Sequence, residues 1–286
     1  MPFDAVAALR IGASDVRSHY SSRDTILYAL GLGMGSDPLD PDQIAFVYEG
    51  QRGPRVMPTL PVVLVPSNTH SLGLDMTRVL HGEQRLTLHA PLAPEGEVIS
   101  DTRTHSIIDK GEGRGAIVNV ETIGRRATDG APLFTMIKSL FARGDGGCGA
   151  PPAEPLPVHR PPDRPADLDH AIATRPDQAL LYRLSGDYNP LHADPAMARR
   201  AGFERPILHG LCTYGVAARA IMERLCDHDP TRIYALEARF TAPVLPGETI
   251  VTEMWRDADT VSFRCRVAGR DVIAIDNGRC VIGPAR

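Results

Sequence analysis

Residues 181–192 read Leu-Tyr-Arg-Leu-Ser-Gly-Asp-Tyr-Asn-Pro-Leu-His, and this segment has the most informative pattern of polar residues in the chain. It carries a carboxylate, an amide and an imidazole, on Asp187, Asn189 and His192, within six positions. Gly186 permits a tight bend, and Pro190 keeps Asn189 out of helical geometry. The sequence therefore predicts a loop from which three polar side chains project. Such a set can hold one water molecule and move its protons.

A second polar pair follows this loop. His209-Gly210 comes seventeen residues after His192 and precedes the apolar run Leu211–Ala220, which predicts a helix. A glycine amide at the start of a helix is a donor for a developing oxyanion. Together the two segments predict water addition to, or removal from, an activated carbonyl compound.

The chain contains one internal repeat. The segment starting at Ala90 matches the one starting at Ala242, an offset of 152, and Asp37-Pro38-Leu39-Asp40 matches Asn189-Pro190-Leu191-His192 at the same offset. Leu27–Leu30 matches Leu181–Leu184 at 154. Three matches in one order at nearly one offset indicate a duplicated domain. A Gly/Pro-rich break at 144–166 predicts a linker between domains 1–143 and 167–286.

Only the second copy carries the polar residues. Asp40 stands where the second copy has His192, and Met57-Pro58-Thr59 stands where it has Leu208-His209-Gly210. The first copy therefore lacks the groups for proton transfer and oxyanion binding. We expect it to serve another purpose, such as making room for a substrate tail.

The two halves share one predicted order of elements and an α+β fold class. Each begins with a short helix (23–31 and 176–184) and continues with the polar loop and an apolar helix. In the first copy Leu60–Pro66 is interrupted by prolines, which predicts a shortened helix. The strand-like segments are rich in Val, Ile and Thr: 83–90, 97–108, 115–125 and 131–142 in the first half, and 233–242, 249–256, 260–267 and 272–281 in the second.

Composition excludes several classes of function. The chain of 286 residues has 31 basic and 35 acidic residues, a net charge of -4, so it offers no basic field for nucleic acid. No stretch approaches 18 apolar residues, so we expect no membrane insertion. Five scattered cysteines predict reduced thiols and a cytoplasmic location.

Residues 182–192, Tyr-Arg-Leu-Ser-Gly-Asp-Tyr-Asn-Pro-Leu-His, and 206–211, Pro-Ile-Leu-His-Gly-Leu, closely resemble the hydratase 2 motif of the MaoC-like dehydratases. The resemblance implies a double hot-dog fold, two tandem repeats that each wrap a sheet around a long helix. It implies (R)-specific hydration of trans-2-enoyl-CoA, reversibly, in fatty-acid or related acyl metabolism. By family analogy the chain is expected to form a homodimer.

The resemblance also assigns roles. Asp187 and His192 become the acid/base pair, Asn189 helps to hold the water, and the Gly210 amide binds the thioester oxygen. No metal or organic cofactor is needed for this chemistry. A carboxylate beside an imidazole is expected to raise the pKa of His192, so the two groups would titrate together.

Other interpretations stay open at this point. His209 either contacts the substrate or only hydrogen-bonds backbone to hold the loop. The whole protein could instead be an acyl-CoA thioesterase on the same fold, or a non-catalytic acyl-CoA-binding subunit. The Asp187, Asn189 and His192 set argues against both, because neither needs a complete water-addition motif.

Overall fold

A computed structural model describes residues 3–50, 53–66 and 69–286, so Met1 and Pro2 at the start of the predicted first domain lie outside the described residues. The described chain is built on ten strands and seven α-helices joined by short 3-10 turns. The strands are β1 (Gly12–Tyr20), β2 (Val79–Leu88), β3 (Gly96–Asp109), β4 (Ala116–Arg126), β5 (Pro132–Ala142), β6 (Leu168–Ala173), β7 (Ile233–Phe240), β8 (Thr249–Asp257), β9 (Thr260–Val267) and β10 (Val272–Ile282). The helices are α1 (Ala5–Ala8), α2 (Ser22–Gly31), α3 (Pro41–Ile44), α4 (Pro61–Leu64), α5 (Gln178–Tyr182), α6 (Pro195–Arg200) and α7 (Gly210–Leu225).

All ten strands form one antiparallel sheet in the order β1-β3-β4-β5-β2-β7-β10-β9-β8-β6. From the outer edge of the sheet inward, the strands of the first half come in the order β1, β3, β4, β5 and β2, that is, the first, third, fourth, fifth and second strand of that half. From the opposite edge inward, the second half has the order β6, β8, β9, β10 and β7, which is again the first, third, fourth, fifth and second strand of its half. The two halves thus have one topology, which confirms the double hot-dog fold predicted from the motif.

The junction between β2 and β7 shows the symmetry of the repeat. Arg85 pairs with Glu237, 152 positions later, while Glu83 pairs with Arg239 and Thr87 with Ala235. Position 83 of the first half corresponds to position 235 of the second, and position 87 corresponds to 239. Exchanging the two halves therefore turns the 83–239 pair into the 235–87 pair. A pseudo-twofold axis therefore passes through the Arg85–Glu237 pair, at the offset found in the sequence.

Helix α7 forms the centre of the second half. Every residue from Cys212 to Met222 is buried, as expected of a helix surrounded by protein on all sides. Its counterpart α4 is only four residues long and begins with Pro61. The predicted shortening of the first-half helix is confirmed.

Two strands were missed by the sequence prediction, which had four in each half. Strands β1 and β6 are the outer strands of the sheet, and each has a single buried residue, Tyr20 in β1 and Ile172 in β6. An outer strand with one face in solvent carries little hydrophobic alternation, so the pattern gave no signal.

The predicted linker region lies between β5 and β6, and residues 151–162 form neither helix nor strand. The domain boundaries themselves stay a prediction. Among the helices of the described residues, none has the length and apolar character to cross a bilayer.

Candidate active site

The polar loop is built by local backbone chemistry. Gly186 has φ of +125°, a conformation that side chains other than glycine rarely adopt, and it ends the turn Arg183–Ser185. Pro190 opens the short 3-10 turn Pro190–His192, with Asn189 in the extended region before it. The Asp187 carboxylate accepts a hydrogen bond from the backbone N–H of Asn189 at 3.2 Å. The loop is therefore held in the bent form that the glycine and proline predicted.

Asn189 caps the turn that carries His192. Its Oδ1 accepts from the Leu191 amide at 3.0 Å, and its side chain is exposed at the protein surface. This bond fixes the start of the turn. The water-holding role of Asn189 stays a prediction.

His192 is buried, with 8% of its surface exposed, and its orientation is set by one hydrogen bond. Its Nδ1 lies 2.9 Å from the carbonyl oxygen of Ile207. A carbonyl only accepts, so Nδ1 carries the proton of the neutral ring and Nε2 keeps a lone pair. His192 is therefore presented as a base.

His209 packs directly on His192. The two ring centroids are 3.7 Å apart with 28° between the planes, and His209 is 1% exposed. Its Nε2 donates to the backbone carbonyl of Asp187 at 3.2 Å. Of the two interpretations of His209, this contact supports the one in which it holds the loop.

The three ionisable groups converge. One carboxylate oxygen of Asp187 and one ring nitrogen each of His192 and His209 all lie within 4.8 Å of one another. Two polar atoms at that separation can both hydrogen-bond to a single oxygen, because each bond is about 2.8 Å long. Asp187 and His192 are thus close enough to share one water molecule.

Burial controls the protonation of both rings. The loss of solvent lowers the pKa of His192, although the Ile207 carbonyl and the Asp187 carboxylate act in the opposite direction. Asp187 acts to raise this pKa, as expected, but desolvation outweighs the attraction of the half-buried carboxylate, so the net shift is downward. Burial, and then repulsion from His192, lowers the pKa of His209 to about 4. Both rings are neutral at pH 7.

Gly210 is the first residue of α7, as predicted. The backbone bonds to the His209 carbonyl come from the amides of Cys212 and Thr213, so the Gly210 amide precedes the helical ladder. A Cβ on Gly210 would stand 3.3 Å from the Phe240 ring, tighter than ordinary contact. Glycine therefore lets β7 approach the helix start, where the dipole is positive.

The first half adds two groups that the sequence analysis missed, His81 on β2 and Lys138 on β5. Each lies within electrostatic range of Asp187. His81 packs against Phe240, with ring centroids 5.1 Å apart. Burial lowers the pKa of Lys138 to about 8, and the Asp187 carboxylate partly offsets it. Neither residue stands in a motif, so nothing local in the sequence marked them.

The counterpart of this site in the first half is purely structural. Asp40 caps α3 by accepting from the Asp42 amide at 2.9 Å. Thr59, the counterpart of Gly210, is buried and accepts from the Tyr28 hydroxyl at 2.9 Å. The first copy thus keeps the backbone plan and uses its side chains for packing.

Comparison with known proteins agrees with this geometry. Residues 157–277 match the family model described as a MaoC-like domain, and residues 18–144 match the one described as the MFE-2 hydratase 2 N-terminal domain. The enoyl-CoA hydratase ChsH3 of Mycobacterium tuberculosis is 41% identical over 90% of this chain and 91% of its own. The chain belongs to the MaoC-like hydratase 2 family.

Solved structures place the fold in the same family. A MaoC-like dehydratase from Phytophthora capsici superimposes with a TM-score of 0.86 at 32% identity, over 98% of each chain. A Mycobacterium tuberculosis protein described as having a double hotdog fold gives a TM-score of 0.58 at 20% identity, over 95% of each chain. The second likeness concerns the fold alone.

Proposed function

We propose that this protein adds water to trans-2-enoyl-CoA to give (3R)-3-hydroxyacyl-CoA, and catalyses the reverse dehydration. The observation that carries the proposal is the convergence of Asp187 and His192 on one point beside the start of α7. Membership of the hydratase 2 family and a relative named as an enoyl-CoA hydratase support the same chemistry.

The water is activated by two acceptors. It donates one hydrogen to His192 Nε2 and the other to the Asp187 carboxylate, so its oxygen lone pairs face the substrate. As that oxygen bonds to C3, His192 takes the proton and the C2–C3 double bond shifts electrons toward the thioester carbonyl. A proton then returns from the pair to C2 on the same face. Net addition is OH at C3 and H at C2.

The developing enolate needs a donor opposite the water. The Gly210 amide at the positive end of α7 supplies it, at about 3 kcal/mol for one positioned donor. Side chains and one amide thus complete the cycle, so we propose that no metal or organic cofactor takes part.

The acyl chain is proposed to extend into the first half. Helix α7 of the second half has 16 residues, whereas its counterpart α4 has four. The sheet of the first half therefore covers a shorter helix, which we propose leaves space for the acyl chain. This difference supports a long or bulky acyl group. Crotonyl-, decenoyl- and steroid enoyl-CoA substrates test it, because a steep loss of rate beyond the short chain contradicts an enlarged pocket.

The decisive experiment is a hydration assay with chiral analysis of the product. Loss of enoyl absorbance with formation of the 3R product supports the proposal, and the 3S product contradicts it. Release of free CoA, measured with a thiol reagent, identifies a thioesterase. Saturable binding without loss of enoyl absorbance identifies a binding subunit.

Assembly and location complete the proposal. We expect a homodimer in the cytoplasm, on family analogy and on the reduced state of the five free cysteines. Light scattering after size-exclusion chromatography measures the oligomeric state, and fractionation of the source cells measures the location.

A further inference from the structure

The catalytic cluster also has the composition of a transition-metal site. A carboxylate and two imidazoles are ligand types that Zn²⁺ takes in proteins. One candidate ligand atom from each of Asp187, His192 and His209 lies within 4.8 Å of the other two. Ligand atoms around a tetrahedral Zn²⁺ stand about 3.3 Å apart, given bonds of about 2.0 Å. Because the His192 and His209 rings are stacked, one ring would have to rotate out of the stack for both to direct a lone pair at one ion.

In each histidine one ring nitrogen is held by a backbone carbonyl, as in many metal sites. A ligating imidazole donates its second ring N–H to a carbonyl or carboxylate, which fixes the ring and its tautomer. His192 makes this bond from Nδ1 to Ile207, and His209 makes it from Nε2 to Asp187. Each ring thus keeps its other nitrogen as an acceptor.

One of these nitrogens is also unpartnered. His209 Nδ1 is buried and has no hydrogen-bond partner within the part of the chain that the structure describes. Buried polar atoms are nearly always satisfied, and an acceptor can be satisfied by a cation as well as by a donor. The proposed hydration mechanism makes no use of this atom, so its presence calls for a separate explanation.

We propose that Asp187, His192 and His209 bind Zn²⁺ reversibly, and that the bound ion inhibits the enzyme. The ion takes the Asp187 oxygen and the His192 nitrogen that otherwise hold the catalytic water. The inhibitory half rests on the proposed hydratase function, whereas the binding half does not. Three protein ligands leave one position for water, so we expect weaker binding than at four-ligand structural sites and set micromolar affinity as the criterion of the test.

Charge sets an upper limit to the affinity. Lys138 lies within electrostatic range of Asp187 and places a cation near the site. Repulsion between the ammonium and the ion opposes tight binding. The cluster therefore suits a regulatory ion that leaves readily better than a resident one.

The test uses the full chain after chelator treatment, with Cys148→Ser as the background. Cys148 is the one partly exposed thiol among the five, so this change removes competing thiolate binding. Co²⁺ is titrated in first, because its visible absorption reports low-coordinate nitrogen and oxygen ligation. Zn²⁺ is then measured by competition with a chromophoric chelator and by the rise in Tm.

Two variants and one control decide the ligands. His209→Gln and Asp187→Asn each remove one ligand, and each should weaken Zn²⁺ binding at least tenfold and abolish the Tm shift. His89→Gln is the matched control, because His89 is exposed and its side chain has one described hydrogen bond, to the Thr135 hydroxyl. Its binding should equal that of the background protein. If His209→Gln does not fold, Asp187→Asn alone decides.

Each result has a clear meaning. The proposal is supported if one Zn²⁺ binds per chain with micromolar affinity, if the two variants lose this binding, and if Zn²⁺ inhibits hydration by the background protein over the same concentrations. Binding only at millimolar Zn²⁺, or equal binding in both variants and the background, overturns it. Stoichiometric binding with unchanged hydration overturns the inhibitory half. Metal binding is read without turnover, so a failed hydratase assay leaves the binding result interpretable.

Discussion

Replacement of His192 by alanine tests the water-activation geometry most directly. The side chain supplies Nε2 as the base, since Nδ1 is committed to the Ile207 carbonyl. Removing a positioned acid or base costs about 10²- to 10⁴-fold in rate, or about 3–5 kcal/mol in the barrier. His192 holds the water and not the thioester, so kcat should fall while KM changes little.

The same change has a structural cost that must be separated from the catalytic one. It removes a buried ring stacked on His209 and leaves the Ile207 carbonyl without its donor. An acceptor left unsatisfied in this part-buried position costs at most about 1–3 kcal/mol of stability. Tm and urea unfolding should therefore be recorded beside the kinetics, and His89→Ala should match the wild type in both.

The assay is loss of enoyl absorbance over a range of decenoyl-CoA concentrations that gives both kcat and kcat/KM, followed from pH 5 to 9. Burial lowers the pKa of His192 below its usual value, so the acid limb of wild-type kcat/KM should fall below pH 6.5. A folded His192→Ala variant that keeps kcat within tenfold of the wild type would refute the reasoning. So would an acid limb above pH 7.

Three further predictions concern His209, Gly210 and Gly186. Folded His209 has a pKa of about 4 against about 6.5 unfolded, so the unfolded chain binds the extra proton between these values and stability falls as pH drops through that window. Urea unfolding at pH 7 and pH 4.5 gives the free energy of unfolding lost on acidification. This loss should be about 2–3 kcal/mol smaller in His209→Asn than in the wild type; equal losses in the two proteins contradict the prediction. Gly210→Ala places a methyl 3.3 Å from the Phe240 ring, so kcat/KM should drop at least tenfold with little change in Tm; wild-type kinetics would exclude a tight approach here. Gly186→Ala strains a residue at φ +125° and should cost about 1 kcal/mol or more in urea unfolding, whereas an unchanged midpoint would mean that the loop does not hold this bend.

The sequence predicted the local parts of the site well. Gly186 and Pro190 impose their conformations through their own backbone chemistry, so the bend that presents Asp187 and His192 could be foreseen. The start of α7 at Gly210 followed from the onset of an apolar run. The repeat offset of 152 predicted a duplicated domain, and the structure shows the same offset in the Arg85–Glu237 pair that joins β2 and β7.

Other features were decided only by the tertiary structure. Strands β1 and β6 take their conformation from pairing with β3 and β8, not from a hydrophobic pattern of their own. His81 and Lys138 approach Asp187 because β2 and β5 belong to the same continuous sheet as the second half. The sign of the His192 pKa shift depends on how much solvent the fold removes. Sequence fixes the conformation of a loop because glycine and proline act on neighbouring bonds, whereas burial, cross-strand neighbours and long-range charge exist only once the two halves have closed on each other.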